Sequence, residues 1–262
     1  MIAQNIAKNP DEILRISFLS LCFLSIILAK ALSLRAATLK NIDGLLGFWL
    51  TPLCSSETWS RSPRATIADL KSLLKRSCLS ILVLCFAYFT YYRLTDAIDA
   101  KGWLLSYLAV PIVVLFEFAC SPVRLLCLAT GRRIANIHNH LLRSAGTGDF
   151  WRRYNVWVSD WFHQILFRPF PKTPMIASLL VFIFSGLWHE VLINLPFFIL
   201  FHVNLFGSMM AYFFIQWVAV TIDHVYLRGR SRLRRAFLYV AVVGPAPLIL
   251  NESLLRIFGW YP

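Results

Sequence analysis

Two polar residues stand side by side inside an apolar run. They are His189 and Glu190, in "SGLWHEVL", within the stretch Met175 to Phe201. Fourteen residues separate Met175 from His189, about 21 Å of helix at 1.5 Å per residue. A polar group that deep in hydrocarbon must be paired, hydrated or functional. An imidazole there suits acid–base catalysis or a proton relay. Ser185 is its i−4 neighbour, and Ser185 and Gly186 are small enough to admit a second helix closely. Trp188 and Glu190 point elsewhere, which predicts a structural or helix-pairing role for Glu190. Asn194 follows, and Pro196 then disturbs the helix. The competing reading is that His189 only bonds to a neighbouring helix.

A second constellation is "GTGDFWRRYNVWVSDWFHQILFRPF", Gly146 to Phe170. "GTG" delivers the chain into Asp149, read as a helix N-cap. Aromatic residues then alternate with Arg152, Arg153, Asn155, Asp160 and His163. At 3.6 residues per turn Trp151, Asn155 and Ser159 share one side, continued by His163. Such a helix can lie at the head-group level with its arginines toward phosphates, so an interfacial anchor competes with a catalytic role. Arg152, Arg153 and Arg168 are candidate contacts for a phosphate-bearing donor.

These elements sit in a chain of 262 residues that is 58% hydrophobic and only 15% charged. Soluble domains carry about 25% charge. The apolar excess falls into runs of roughly 18–25 residues, enough to cross a ~30 Å hydrocarbon core. The fold class expected is all-α: a polytopic integral membrane protein forming one membrane domain, 1–262. Six spans are predicted, at 13–34, 77–92, 103–120, 175–200, 203–225 and 236–252. "IDGLLGFWLTPLC" is too short and broken to cross and reads as re-entrant. The polar stretch after it predicts an amphipathic helix starting near Ser62, with Pro63 at its first position. The first span lacks a clear cleavage site and reads as a retained helix.

The net charge of +13 lies in the loops. Segments 35–76, 121–174 and 226–235 hold seven, eight and five Lys or Arg. Six spans put all three on one side, expected to be cytoplasmic and to meet anionic lipid. That placement argues against nucleic acid. The six cysteines include no CxxC pair and read as small apolar residues. His138 and His140 in "IHNH" face different sides of a helix with no third ligand nearby in sequence, so no metal is expected. His202 and His224 sit near span ends, where interfacial hydrogen bonding suits them.

"DFWRRYNVWVSDWFHQILFRPF" followed by "FSGLWHE" resembles the membrane-bound O-acyltransferases. The likeness is closest to the wax-synthase branch, whose members carry "DFW-R-W-N" and, one helix later, "SG-x-x-HE". It spans 146–223, which the resemblance marks as the acyltransferase-like core. It implies fatty acyl transfer from a thioester, acyl-CoA, to a lipophilic alcohol inside a membrane chamber. Acyl-CoA is then a co-substrate, with no tightly bound cofactor. The family's catalytic histidine matches His189, its asparagine Asn155, and its following glutamate Glu190. Trp151, Arg152, Arg153, Ser159, His163, Arg168, Ser185, Trp188 and Glu190 become candidate substrate- or donor-binding residues. Tyr154 departs from the common Trp. Gln216 and Trp217 stand where relatives have His and Gly. Family members commonly have eight or more spans, so helices would here be missing, supplied by an oligomer or partner subunit, or replaced by immersed segments. Two other classes compete. A transporter predicts a polar path and no thioester consumption; a scaffold predicts tolerance of substitution at Asn155 and His189.

Overall fold

The structure is a computed structural model that describes residues 9–34, 48, 49, 59, 62–128, 130–170 and 172–261. Among these the chain is helical, and three helices are long and apolar enough to cross a membrane: Pro10–Leu34, Ile67–Ala97 and Pro174–Phe201. It is an all-α protein of the polytopic membrane type. The re-entrant segment expected between the first two spans lies outside the described residues, apart from Phe48 and Trp49.

Helix α1 (Pro10–Leu34) matches the first expected span. Helix α2 (Ile67–Ala97) differs from the reading above: the amphipathic helix and the second span are one continuous helix, and it starts later than Ser62. Thr66 is its N-cap. The Thr66 hydroxyl accepts from the Asp69 N–H and the Asp69 carboxylate from the Thr66 N–H. This capping box satisfies two end donors at once and out-competes the Ser62–Pro63 start. Pro63 and Arg64 instead run extended beside Arg132 and Arg133. Helix α3 (Trp103–Leu128) packs along α2.

Two short helices, α4 (Thr147–Arg153) and α5 (Val156–Phe162), carry the aromatic–basic segment. A π-turn, His163–Phe167, follows them. Helix α6 (Pro174–His189) then runs through a second π-turn, Glu190–Asn194, into α7 (Leu195–Phe201). Pro196 has no N–H to close a normal turn onto Leu192, and its ring crowds that carbonyl. The ladder widens instead, with the Leu195 N–H donating to the Glu190 carbonyl.

Helix α8 (Ser208–Tyr226) returns antiparallel to α6. Gly186 lies against Met210, and Phe182, one turn earlier on α6, belongs with Phe213, one turn later on α8. The expected sixth span, 236–252, is not one helix. It is α9 (Ser231–Val243), α10 (Ala246–Ile249) and the start of α11 (Glu252–Ile257). Pro245 and Pro247, next to Gly244, remove the donors a continuous helix would need. The C-terminal stretch is held instead by Tyr91, whose hydroxyl donates to the Trp260 carbonyl at 2.6 Å, and by Ser106, which donates to that of Leu250 at 2.6 Å.

Gly186 sets the spacing of α6 and α8. A Cβ on it would lie 2.7 Å from Met210 Sδ and 3.1 Å from Met210 Cα. The sulfur can move and the backbone cannot. Gly186→Ala should therefore destabilise the pair by about 1–3 kcal/mol through overpacking, read as a lower midpoint in thermal unfolding of the detergent-purified chain.

Candidate functional site

His189 ends α6, where the helix passes into the widened turn. Its Nδ1 lies 2.7 Å from the Ser185 carbonyl oxygen. A carbonyl only accepts, so Nδ1 carries a hydrogen, and in the neutral imidazole Nε2 then holds the lone pair. The i, i+4 relation of Ser185 and His189 is thus realised, through the serine backbone. The imidazole also packs on Phe213, ring centres 4.8 Å apart. Phe213 in turn lies 5.8 Å from Trp151 of α4. Trp151 is enclosed by Phe182 at 5.6 Å, Tyr212 at 6.4 Å and Tyr154 at 5.5 Å. One aromatic cluster therefore joins the "DFW" helix to the histidine helix.

Two polar rungs hold α4 on α8 and α8 on α9. In the first, Asp223, 1% exposed, accepts from the Gly148 N–H at 3.3 Å and from Arg234 Nε at 2.5 Å and Nη2 at 3.0 Å. In the second, Trp151 Nε1 donates to Gln216 Oε1 at 3.3 Å, and Gln216 Nε2 donates to the Ala241 carbonyl at 2.7 Å. Gln216 and Asp223 are two turns apart on one face of α8. Gly146 fits because it has no side chain: a Cβ would come within 2.4 Å of Arg234 Nε and 2.6 Å of an Asp223 oxygen. A lone Asp and Arg on separate helices give no local pattern, so Asp223 and Arg234 were not predicted.

Asp149 is not the N-cap. Helix α4 starts at Thr147 with Gly146 as cap, and Asp149 reaches back from the first turn to accept from the Ala145 N–H at 3.0 Å. It also pairs with Arg153 Nε at 2.9 Å and Arg152 at 3.4 Å. Desolvation pushes its carboxyl upward, but the Ala145 N–H and the Arg153 guanidinium outweigh that, and its pKa lies below the usual carboxylate value. A group depressed on folding contributes stability above its unfolded pKa of about 3.9 and loses it as pH falls through the folded value. Thermal unfolding followed down through the carboxylate range should show an acid-side loss in the wild type that is smaller in Asp149→Asn.

Asn155 lies at a break, not in a helix. Its backbone is left-handed, φ 46° and ψ 64°, a conformation Asn tolerates better than most residues. Its Oδ1 accepts from the Val158 N–H at 3.3 Å and caps α5. The expected line Trp151–Asn155–Ser159–His163 along one helix is therefore broken after Arg153. The segment Ile137–Asn139 braces the break. Asn139 N–H donates to the Arg153 carbonyl, Asn155 N–H to His138 Nδ1 and Val156 N–H to the Ile137 carbonyl, at 3.0, 3.0 and 2.6 Å. This is what "IHNH" does with His138, whose ring also packs on Tyr154 at 4.7 Å. Asn155 Nδ2 has no acceptor among the described residues.

Glu190 is buried and caps α8. Its Oε1 accepts from the N–H groups of Gly207, Met209 and Met210 at 2.9, 2.9 and 3.2 Å. Its Oε2 accepts from Asn194 Nδ2 at 2.7 Å, and Asn194 Oδ1 accepts from Asn251. The structural role expected of Glu190 is this one. Trp188 turns away from His189 into a cluster with Trp161, Phe162 and Phe184. Ser159 is half-buried on α5. His163 is exposed and stacks on Phe167, and Arg168 is exposed. The structure thus groups Trp151, Ser185 and His189, ties Arg152 and Arg153 to Asp149, and leaves His163 and Arg168 apart. His189 and Asn155 share no hydrogen bond. Among the described residues no group of three His, Cys, Asp or Glu could hold a metal. No protein-family model matches the chain, and neither does any curated protein.

Proposed function

We propose that the chain is a membrane-bound O-acyltransferase, of the wax-synthase kind, moving a fatty acyl group from an acyl thioester, acyl-CoA, to a lipophilic alcohol. The observation that carries the reading is the bond from His189 Nδ1 to the Ser185 carbonyl. With Nδ1 bonded to that carbonyl, the neutral imidazole presents Nε2 as its base beside the Phe213 ring.

In this reading Nε2 takes the alcohol proton as the alcohol oxygen attacks the thioester carbonyl carbon. The tetrahedral intermediate collapses, the C–S bond breaks, and the thiolate takes the proton back from the imidazolium. Ester and free thiol leave. Asn155 has its oxygen committed to α5, so its amide nitrogen is the end available to donate to the developing oxyanion. Glu190 and Asp223 act as positioning residues, fixing α8 and α4 against the histidine helix. The finer topology belongs to the same proposal. Six crossings, two of them shorter or broken, put segments 35–76, 121–174 and 226–235 at the cytoplasmic face, where acyl-CoA is met. An oligomer or partner subunit would supply any further helices.

The test is ester formation by the purified chain, with a panel of labelled acyl thioesters and lipophilic alcohols. Ester and free thiol should appear together in equal amounts. Thioester left intact across the panel would reject the proposal. Movement of a solute across vesicles without thioester loss would instead favour a transporter.

A further inference from the structure

We infer that the turn joining α8 to α9 is a docking surface for the phosphate head groups of anionic phospholipids. Four arginines stand on it and on the first turns of α9 within eight residues: Arg228, Arg230, Arg232 and Arg235, all exposed. None has an acidic partner among the described residues. The fifth arginine there, Arg234, is turned inward onto Asp223. Its use is the contrast that matters, because it anchors α9 and leaves the other four guanidinium groups outside.

Three arginines around loop 130–136 are instead spent on the protein itself. Arg124 donates to the Ile134 carbonyl at 3.0 Å, Arg132 to that of Ser62 at 2.7 Å, and Arg133 pairs with Asp69 at 3.4 Å. These arginines hold loop 130–136 in place. Among the described residues, none of the four arginines at the α8–α9 turn makes a comparable bond.

Its position fits a lipid surface. Helix α8 runs antiparallel to α6, so its C-terminal end lies where the span Pro174–Phe201 begins, at the membrane boundary. Gly229, with φ 86°, lets the chain turn back there within a few residues. Around the cations are exposed apolar side chains: Val225 at 57%, Tyr226 at 70% and Leu233 at 51%. Arginines mixed with an exposed tyrosine and aliphatic residues match the layered chemistry of an interface, with phosphate above and acyl chain below. A soluble polyphosphate would answer the charge and leave the apolar residues unused.

The test uses the full chain in a neutral detergent, with dioctanoyl phosphatidylglycerol, dioctanoyl phosphatidylcholine and inorganic pyrophosphate as probes, read by native mass spectrometry and calorimetry. The wild type should prefer the anionic lipid to phosphatidylcholine by at least about tenfold. Arg228→Gln/Arg230→Gln/Arg232→Gln/Arg235→Gln should abolish that preference, and the matching four-lysine variant should keep most of it. Arg228→Gln/Arg230→Gln, outside the helix, gives the same reading in part should the four-glutamine chain fail to fold. An unchanged preference in the glutamine variants, an equal loss in the lysine variant, or displacement of the lipid by micromolar pyrophosphate would overturn the assignment. Lipid binding is read without any acyl donor, so its failure leaves the acyl-transfer proposal standing.

Discussion

His189→Asn should leave the purified chain folded and lower ester formation by about 10²–10⁴-fold, the worth of a positioned general base. Asparagine is chosen because its Nδ2 can still donate to the Ser185 carbonyl, the bond Nδ1 makes at 2.7 Å. The packing against Phe213 is reduced and the local hydrogen bond survives, so the base is the main thing removed. His189→Ala is the harsher companion. It also removes the bond to the Ser185 carbonyl and leaves more of the Phe213 face, 4.8 Å from the lost ring, unpacked, and should lower the unfolding midpoint as well. If His189 only secures helix packing, His189→Asn will turn over normally while His189→Ala is merely less stable. If it is the base, both lose turnover to a similar extent and differ in stability. Circular dichroism and thermal unfolding, run beside the thiol-release assay, separate these outcomes.

The histidine helix was legible because its information is local. An i, i+4 spacing put Ser185 and His189 together, and the same periodicity sent Trp188 and Glu190 elsewhere. Gly186 as a close-approach residue follows from its size alone. Three other features sat in the sequence as short signals that were outweighed by apolar run length. Thr66 and Asp69 spell a capping box, which moved the start of α2. Gly244, Pro245 and Pro247 break what reads as a sixth span. Tyr154–Asn155 interrupts an otherwise attractive aromatic helix, and Asn is a residue that accepts left-handed backbone. The remainder was not legible, because it is made by residues far apart in the chain. Glu190 caps a helix that begins 18 residues later. Asp223 is 75 residues from the Gly148 amide it receives. His138 braces a helix break 17 residues on.

Those long-range bonds also say how an apolar bundle can hold the His189 ring in one place. The buried Gln216 and Asp223 each touch two further elements, α4 and α9, and the buried Glu190 holds the start of α8 directly and Asn251 through Asn194. In hydrocarbon such groups have no water to fall back on, so separating the helices would leave several donors and acceptors unmet at once. The rungs sit on both sides of the Trp151–Phe213–His189 cluster, at the Glu190 end and at the Asp223 end. Their geometry restricts sliding of α4 and α6 along α8, which is the motion that would most change the surroundings of Nε2.

Asn155→Asp is the second decisive variant, and it should cost about 10²–10³-fold in turnover, the loss expected for one oxyanion donor, with little change in stability. The residue has two jobs to separate. Its Oδ1 caps α5 and its backbone is left-handed, so Asn155 has a complete structural reason to be there without any chemistry. Aspartate keeps the capping oxygen and tolerates the same backbone, and its charge is favourable beside the first turn of a helix. It cannot supply the amide hydrogens that Nδ2 offers. Asn155→Ala removes both functions. Losing the cap should lower stability by about 1 kcal/mol, with a further penalty because alanine lacks the short polar side chain that lets Asn or Asp accept a positive φ. Should Asn155→Asp turn over normally while Asn155→Ala is only less stable, Asn155 is scaffold and the oxyanion donor must be sought elsewhere. Should Asn155→Asp fold as the wild type does and lose turnover with KM little changed, the amide acts in the transition state, since a ground-state contact would appear in KM first.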